Sequence, residues 1–291
     1  MKKTMKLALA IGIVAVIFLE IAVEKISSPS GQTQTTTVSN NQPSPAFLQG
    51  TKFAPEGLTI VDNTFVFDSK SVDVNGDGTV DDVVLYGEKQ ADSPFVQNIG
   101  VAVKNGSSGK FSMASIGELN VGYQPKLFIG SFISTKNNDI LVSFATGGSG
   151  GVTQYSLLTD KDNRLTSLVP QKELNKGLEL ETKCLPDFNM KVTDKNTGYT
   201  SMIDLHKGLA EYKRLGIYNQ NGELLKDPMV LIDGFGVLKP EINGNGIYEL
   251  HGIQRMSVGY HANSVANVES VWTVSNDQLK LLSENIKVIQ I

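Results

Sequence analysis

The chain has 291 residues, with 26 Lys+Arg against 30 Asp+Glu, three His, one Cys and an apolar share of 40%. That share, together with 28 Gly, excludes disorder of the whole chain and a many-helix membrane transporter. A net charge of −4 leaves no excess of cations to hold a nucleic-acid backbone, and the lone Cys184 excludes an internal disulfide framework or a Cys-based zinc cluster.

Lys2, Lys3 and Lys6 precede an uncharged apolar run from Leu7 to Leu19, the n-region and h-region of an export signal. At ~1.5 Å per residue the run spans about 20 Å, and extension through Val23 past Glu20 brings it to about 26 Å, against a hydrocarbon core of ~30 Å. Residues 1–26 are therefore expected to form an apolar helix that is a signal peptide or a signal anchor. Ala-x-Ala occurs only at Ala8 to Ala10, too early for cleavage, which favours an uncleaved anchor with its N-terminus inside. No Cys follows the run, which excludes lipid attachment there. Residues 27–46, rich in Ser, Thr, Gln, Asn and Pro, bury too little apolar area to offset their ordering entropy and are expected to be a disordered polar linker. Residues 47–291 remain as the folded domain, placed outside the cytoplasm, either anchored by a single pass or secreted.

Short β-favouring runs fill that domain: Thr64 to Phe67, Val80 to Tyr86, Ile99 to Lys104, Leu127 to Ile133, Ile140 to Ala145 and Val152 to Leu158. Met190 to Thr193, Leu215 to Tyr218 and Val265 to Val274 continue the series, and Asn105-Gly106, Asn221-Gly222, Asn243-Gly244 and Asn245-Gly246 read as turns. The best helical candidate, Leu205 to Leu215, is short and contains Gly208. The pattern predicts an all-β domain of many short strands.

The sharpest chemical signal is Asp73-Val74-Asn75-Gly76-Asp77-Gly78-Thr79-Val80-Asp81. Asp73, Asn75, Asp77 and Asp81 put side-chain oxygens at loop positions 1, 3, 5 and 9, Thr79 offers a carbonyl at position 7, and Gly78 permits the reversal. Hard oxygens at alternate positions suit Ca²⁺, and three carboxylates about 5 Å apart repel by about 0.8 kcal/mol per pair in water, which a divalent cation removes. Val84 stands where an EF-hand needs a bidentate Glu, and a strand rather than a helix follows, so this is no EF-hand. An Asx-type turn in which the side chains cap their own backbone is the alternative.

The frame recurs in weakened form. Gly130 to Leu141 keeps Asp139 and the apolar run after it, but Ser131, Ile133, Thr135 and Lys136 replace the ligands and the glycine, so no metal is expected there. Glu241, Asn243, Asn245 and Glu249 keep oxygens in a second, weaker metal loop of two carboxylates. Spacing suggests a further repeat near Pro186 to Val192 that has lost its loop.

The stretch Ser71 to Leu85, with Ile129 to Ser143 and Lys239 to Ile253, resembles the FG-GAP and VCBS-type repeats. The wider order, including Gly147 to Gly151 and Tyr260 to Ser264, resembles exported VCBS-repeat proteins of Gram-positive bacteria. The resemblance implies calcium-binding loops between strands of β-propeller blades, and a binding or structural role toward a surface protein or polysaccharide. About 245 residues accommodate four or five short blades, open or distorted, with a β-sandwich as the alternative.

An enzyme reading rests on Gly147-Gly148-Ser149-Gly150-Gly151, which matches Gly-x-Ser-x-Gly, with His206, His251 and His261 downstream. That elbow requires a helix next, whereas Val152 to Ser156 favours a strand. A secreted hydrolase acting on a cell wall or polysaccharide is thus the alternative to a non-enzymatic module. Tyr260 and His261 are candidates for ligand contact, and Trp272 for the core.

Overall fold

A computed structural model of the chain describes residues 47–289. The expected apolar helix and signal segment of residues 1–26 and the linker of residues 27–46 lie outside the described residues. Among the described residues no helix is long and apolar enough to cross a membrane.

The domain is all-β, as its strand-length apolar runs predict. β1 (Thr64–Val72), β2 (Asp81–Lys89), β3 (Phe95–Lys104) and β4 (Phe111–Ser115) form one antiparallel meander. A second contains β5 (Gly122–Gly130), β6 (Asp139–Ala145), β7 (Thr153–Lys161) and β8 (Arg164–Val169). Pairing of Phe95 with Tyr123 and Val96 with Gly122 merges the two into one eight-stranded sheet. The short α1 (Gln171–Leu174) leads to a three-stranded sheet of β9 (Leu180–Leu185), β10 (Asn189–Asp194) and β11 (Thr200–Asp204). A 3₁₀ turn at His206–Gly208 and α2 (Leu209–Arg214) precede a four-stranded sheet of β12 (Val230–Ile242), β13 (Tyr248–Val258), β14 (Ser264–Ser275) and β15 (Gln278–Val288). None of these sheets closes into a barrel.

Strand alternation distributes side chains among several cores. On β6, Ile140, Val142 and Phe144 enter the core of the eight-stranded sheet, while Leu141 points the other way. There it joins Phe132, Tyr155, Leu157 and Leu174 against Phe235, Leu238, Leu250 and Val274 of the four-stranded sheet. A further core sets Met190, Val192 and Ile203 against Met256, Val258, Ala266, Val268 and Ile286. Full burial of each such side chain contributes about 1.5–3 kcal/mol, so these layers fix the sheets on one another. Trp272 packs beside both of the last two cores, as its alternation predicts.

Two local expectations need correction. Leu215 to Tyr218 is no strand: the Leu215 N–H bonds to Glu211 O as α2 ends, and Tyr218 makes only an isolated bridge to Leu224. Ile217 and Tyr218 are apolar because they enter a core as irregular backbone. Conversely, the candidate helix at Leu205 to Leu215 forms, as the 3₁₀ turn and α2, with Tyr212 buried on its inner side.

Candidate functional site

The loop between β1 and β2 is built from its own side-chain oxygens. Asp73 Oδ1 accepts the Gly76 N–H at 2.7 Å and its Oδ2 the Gly78 N–H at 2.8 Å. Asn75 Oδ1 accepts the Asp77 N–H at 2.9 Å, and Asp77 Oδ1 the Thr79 N–H at 2.8 Å. The residues expected as ligands thus form nested Asx turns, the short-range bonding that makes Asp and Asn favourable in reversals. Asp81, which starts β2, is fully buried; its Oδ2 accepts the Val74 N–H at 3.0 Å and its Oδ1 the Gly106 N–H at 2.9 Å.

Two neighbouring turns hold the loop from outside. The Ser107 hydroxyl lies 2.9 Å from both Asp77 Oδ2 and Thr79 Oγ1. Asn138 Nδ2 donates to the Asp73 carbonyl at 2.8 Å from the turn between β5 and β6. The Thr79 N–H, and after it the Ser107 hydroxyl, hold the Asp77 carboxyl below its ordinary range. The donor chemistry fits a hard divalent cation, since an ionised carboxylate has about four lone-pair sites and these bonds use only some of them. Among the described residues, however, no three His, Cys, Asp or Glu groups gather as a preformed metal cluster.

The two weakened loops occupy the same topological place. Asp139 opens β6 and accepts the Phe132 N–H, while Ser131 Oγ donates to the Asn137 carbonyl at 3.0 Å. Glu241 and Glu249 pair across the β12–β13 hairpin. Glu241 Oε1 accepts Lys239 Nζ at 2.9 Å, which holds its carboxyl below the ordinary range, and Glu249 Oε1 accepts Asn243 Nδ2 at 2.8 Å. Asn243 Oδ1 accepts the N–H groups of Asn245 and Ile247, so the side chains of this second candidate loop also turn onto one another and onto backbone. The tight reversal of Pro186 to Phe188 joins β9 to β10, where the spacing placed a repeat without its loop.

A separate polar cluster went unrecognised in the sequence. Asp233 sits at a register irregularity of β12 with its side chain 7% exposed, and its Oδ2 accepts Arg255 Nε at 3.1 Å. His261 Nδ1 lies 3.0 Å from Asp233 Oδ1, off the angle of a hydrogen bond and with no other partner. Arg255 Nη2 donates to the Ser149 carbonyl at 2.9 Å, and a Cβ on Gly150 would stand 3.0 Å from Asp233 Oδ1. The glycine-rich loop therefore rests on the Asp233–Arg255 pair. β7 follows that loop, so the helix of a nucleophile elbow is not formed. His206 bonds to Asp204 at 2.5 Å, and His251 stands 3.8 Å from Glu241 Oε2, so the three histidines do not meet at one place. Tyr260 donates its hydroxyl to Glu211 Oε1 at 2.9 Å. Asp-Gly-x-Gly at Asp233 to Gly236 was the available signal, a charge and two glycines interrupting an apolar strand.

The family model of the YybI C-terminal domain matches residues 178–287, the span of β9 to β15. The uncharacterized protein YybI of Bacillus subtilis (strain 168) is 29% identical over 231 residues, covering 74% of this chain and 86% of that protein. No solved structure matches the chain. These findings correct the expected membership of the FG-GAP and VCBS-type repeats, for which no match is found. Of the stretches that carried the similarity, only one, the oxygen-rich loop of Ser71 to Leu85, has the full motif, and such a loop also forms wherever Asp and Asn cap a strand-to-strand reversal.

Proposed function

We propose that residues 47–289 act outside the cytoplasm as a non-enzymatic β-module with a binding or structural role at the cell surface. In this reading Asp73, Asn75, Asp77, the Thr79 carbonyl and Asp81 hold Ca²⁺, and the four successive meanders are short blades of an open, propeller-like arrangement. The partner is a surface protein or a polysaccharide, and the membrane is engaged only through the N-terminal segment.

The observation that carries the reading is the bonding of one oxygen-rich loop to two other turns, through Ser107 and Asn138. An ion held there orders three turns at once. Its task is to stiffen a surface, and it performs no chemistry on a substrate.

Calcium titration followed by thermal melting tests it. With an affinity in the extracellular range of about 10⁻⁴–10⁻³ M, about 10 mM Ca²⁺ raises Tm by about 3–10 °C. Asp77→Ala loses most of that rise; an equal rise in variant and wild type overturns the reading.

The Asp233–His261 approach beside the Ser149 loop favours one second reading, a secreted hydrolase. It requires a serine-directed probe to label the wild type and spare Ser149→Ala. Absence of label, with no turnover on a panel of polysaccharides, eliminates it.

A further inference from the structure

The three-stranded and four-stranded sheets meet at two carboxylates that no element of the reading above uses. Asp194 ends β10 and is fully buried. Its Oδ1 accepts the N–H groups of Asn196 at 2.6 Å and Thr197 at 3.0 Å, which forms the β10–β11 turn. Glu284 reaches this turn from β15, where its Oε1 accepts the Thr197 hydroxyl at 2.5 Å. The remaining oxygens, Asp194 Oδ2 and Glu284 Oε2, are both buried and have no hydrogen-bond donor.

Two ionised carboxylates side by side, each with a buried acceptor lacking a donor, are unfavourable through both desolvation and repulsion. A single proton removes both penalties, because a carboxyl group is a donor to its neighbour. A bridging cation is the poorer solution, since Ca²⁺ takes six to eight oxygens and among the described residues no third acidic, His or Cys group joins the pair.

We propose that Glu284 carries a proton on Oε2 and donates it to Asp194 Oδ2, so that the pair is a proton-locked clasp between the β10–β11 turn and β15. The proton comes from solvent and returns to it as pH rises, leaving two adjacent anions that push the turn away from the strand. The charged groups nearest the pair are Lys195, which follows Asp194 in the turn, and Lys239, Glu241, His251 and Glu269, which line a cavity together with Glu284. Opposite Glu284 on β14 stands Ser270, which is buried and neutral, and opposite Asp194 on β9 stands Leu180. On the β11 side the adjoining residues are Thr197 and Tyr199, and α1 shares its core with β15 through Leu174 and Leu279, all uncharged. Burial first, then the charge of Asp194, pushes the Glu284 carboxyl above its ordinary value of 4.5.

For an acid raised in the folded state, stability is greatest below its unfolded value and falls as pH rises through the folded value. The clasp is therefore closed in acid and opened on the neutral side. The test is thermal melting of the full chain from about pH 4 to about pH 8, comparing wild type with Glu284→Gln, whose amide donates to Asp194 at every pH. The wild type loses about 2–4 °C relative to Glu284→Gln across this range. Should Glu284→Gln fold poorly, ¹³C titration of the Glu284 carboxyl in the wild type reads the same proton, with a midpoint above 4.5 expected. A midpoint at or below that value, pH profiles that run parallel, or Ca²⁺ stabilisation lost specifically in Glu284→Gln each overturns the proposal.

Discussion

Asp139 Oδ2 accepts the backbone N–H of Phe132 at 3.0 Å, deep beneath the turn that joins β5 to β6. Asp81 makes the same bond to Val74 at 3.0 Å, and the two pairs are 58 residues apart in the chain. In both cases the acid opens the second strand of a meander and the donor belongs to a fully buried apolar residue. The acid is thus kept where the other ligand positions have become Ser131, Ile133 and Thr135, so its shared task is to satisfy a buried amide. Asp81→Ala leaves the Val74 and Gly106 amides without their acceptor and is expected to cost about 2–4 kcal/mol, against about 1–3 kcal/mol for Asp139→Ala. Burial pushes the Asp139 carboxyl above its ordinary range, so Asp139→Asn, which keeps an acceptor and drops the charge, costs less than Asp139→Ala. Urea denaturation of the three variants checks this order; equal losses would remove the amide argument.

Gly76 and Gly78 both have left-handed φ, at 77° and 83°, but differ in what surrounds them. A Cβ on Gly76 would stand 2.7 Å from the Lys136 carbonyl oxygen, whereas one on Gly78 meets nothing within 4 Å. Gly78→Ala therefore costs only the backbone strain, about 1 kcal/mol, and Gly76→Ala adds a clash that parts the two neighbouring loops, for about 2–4 kcal/mol in total. Chemical denaturation of the two variants separates the terms, and similar losses would show that the loops do not press on each other.

The legible part of this protein was the part written in local chemistry. β-Branched runs such as Val80 to Tyr86 and Ile140 to Ala145 announced their strands because central strands buried on both faces need continuous apolar residues. Edge and outer strands were harder. β15 reads Gln-Leu-Lys-Leu-Leu-Ser-Glu-Asn, with most of its residues exposed, and nothing in its composition sets it apart from a polar loop. Its hairpin turns at Asn276-Asp277, where φ is 50° and 59°, a two-residue reversal without the glycine that usually marks one. The oxygen-rich loop was legible as a loop, since Asx turns are encoded within a few residues. The Asp233–Arg255–His261 cluster was not, because its members come together through sheet register and through a glycine-rich loop from another sheet.

Glu211 ties α2 to the turn between β13 and β14. It accepts Arg214 Nε at 2.8 Å and the Tyr260 hydroxyl at 2.9 Å, and the Arg214 guanidinium holds its carboxyl at about 2 instead of the ordinary 4.5. For a depressed acid the stabilisation is present above the unfolded value and is lost as pH falls through the folded one. The Tm advantage of wild type over Glu211→Gln should therefore be full above pH 4.5 and shrink steadily down to about pH 2. A difference that stays constant across that window would mean that the carboxylate charge contributes nothing.

Asp233 anchors a polar junction between the four-stranded sheet and the glycine-rich loop. Its side chain is 7% exposed, while that of Arg255 keeps 31%, so the arginine retains some water and the aspartate almost none. Removing the carboxylate leaves Arg255 without its anion and frees the ring of His261, yet both side chains are partly exposed and can still turn outward. The expected loss for Asp233→Ala is therefore about 2–3 kcal/mol, below the 3–5 kcal/mol typical of a wholly buried pair. Arg255→Ala should also release the Ser149 carbonyl and raise amide exchange in residues 147–151 specifically, because Arg255 Nη2 is the donor that pins this loop at 2.9 Å. Hydrogen exchange by mass spectrometry reads both effects. Faster exchange in that loop for Arg255→Ala, with β13 itself unchanged, locates the arginine's contribution at the loop. Exchange that rises along the whole of β13 instead would place it in the strand pairing and refute the assignment.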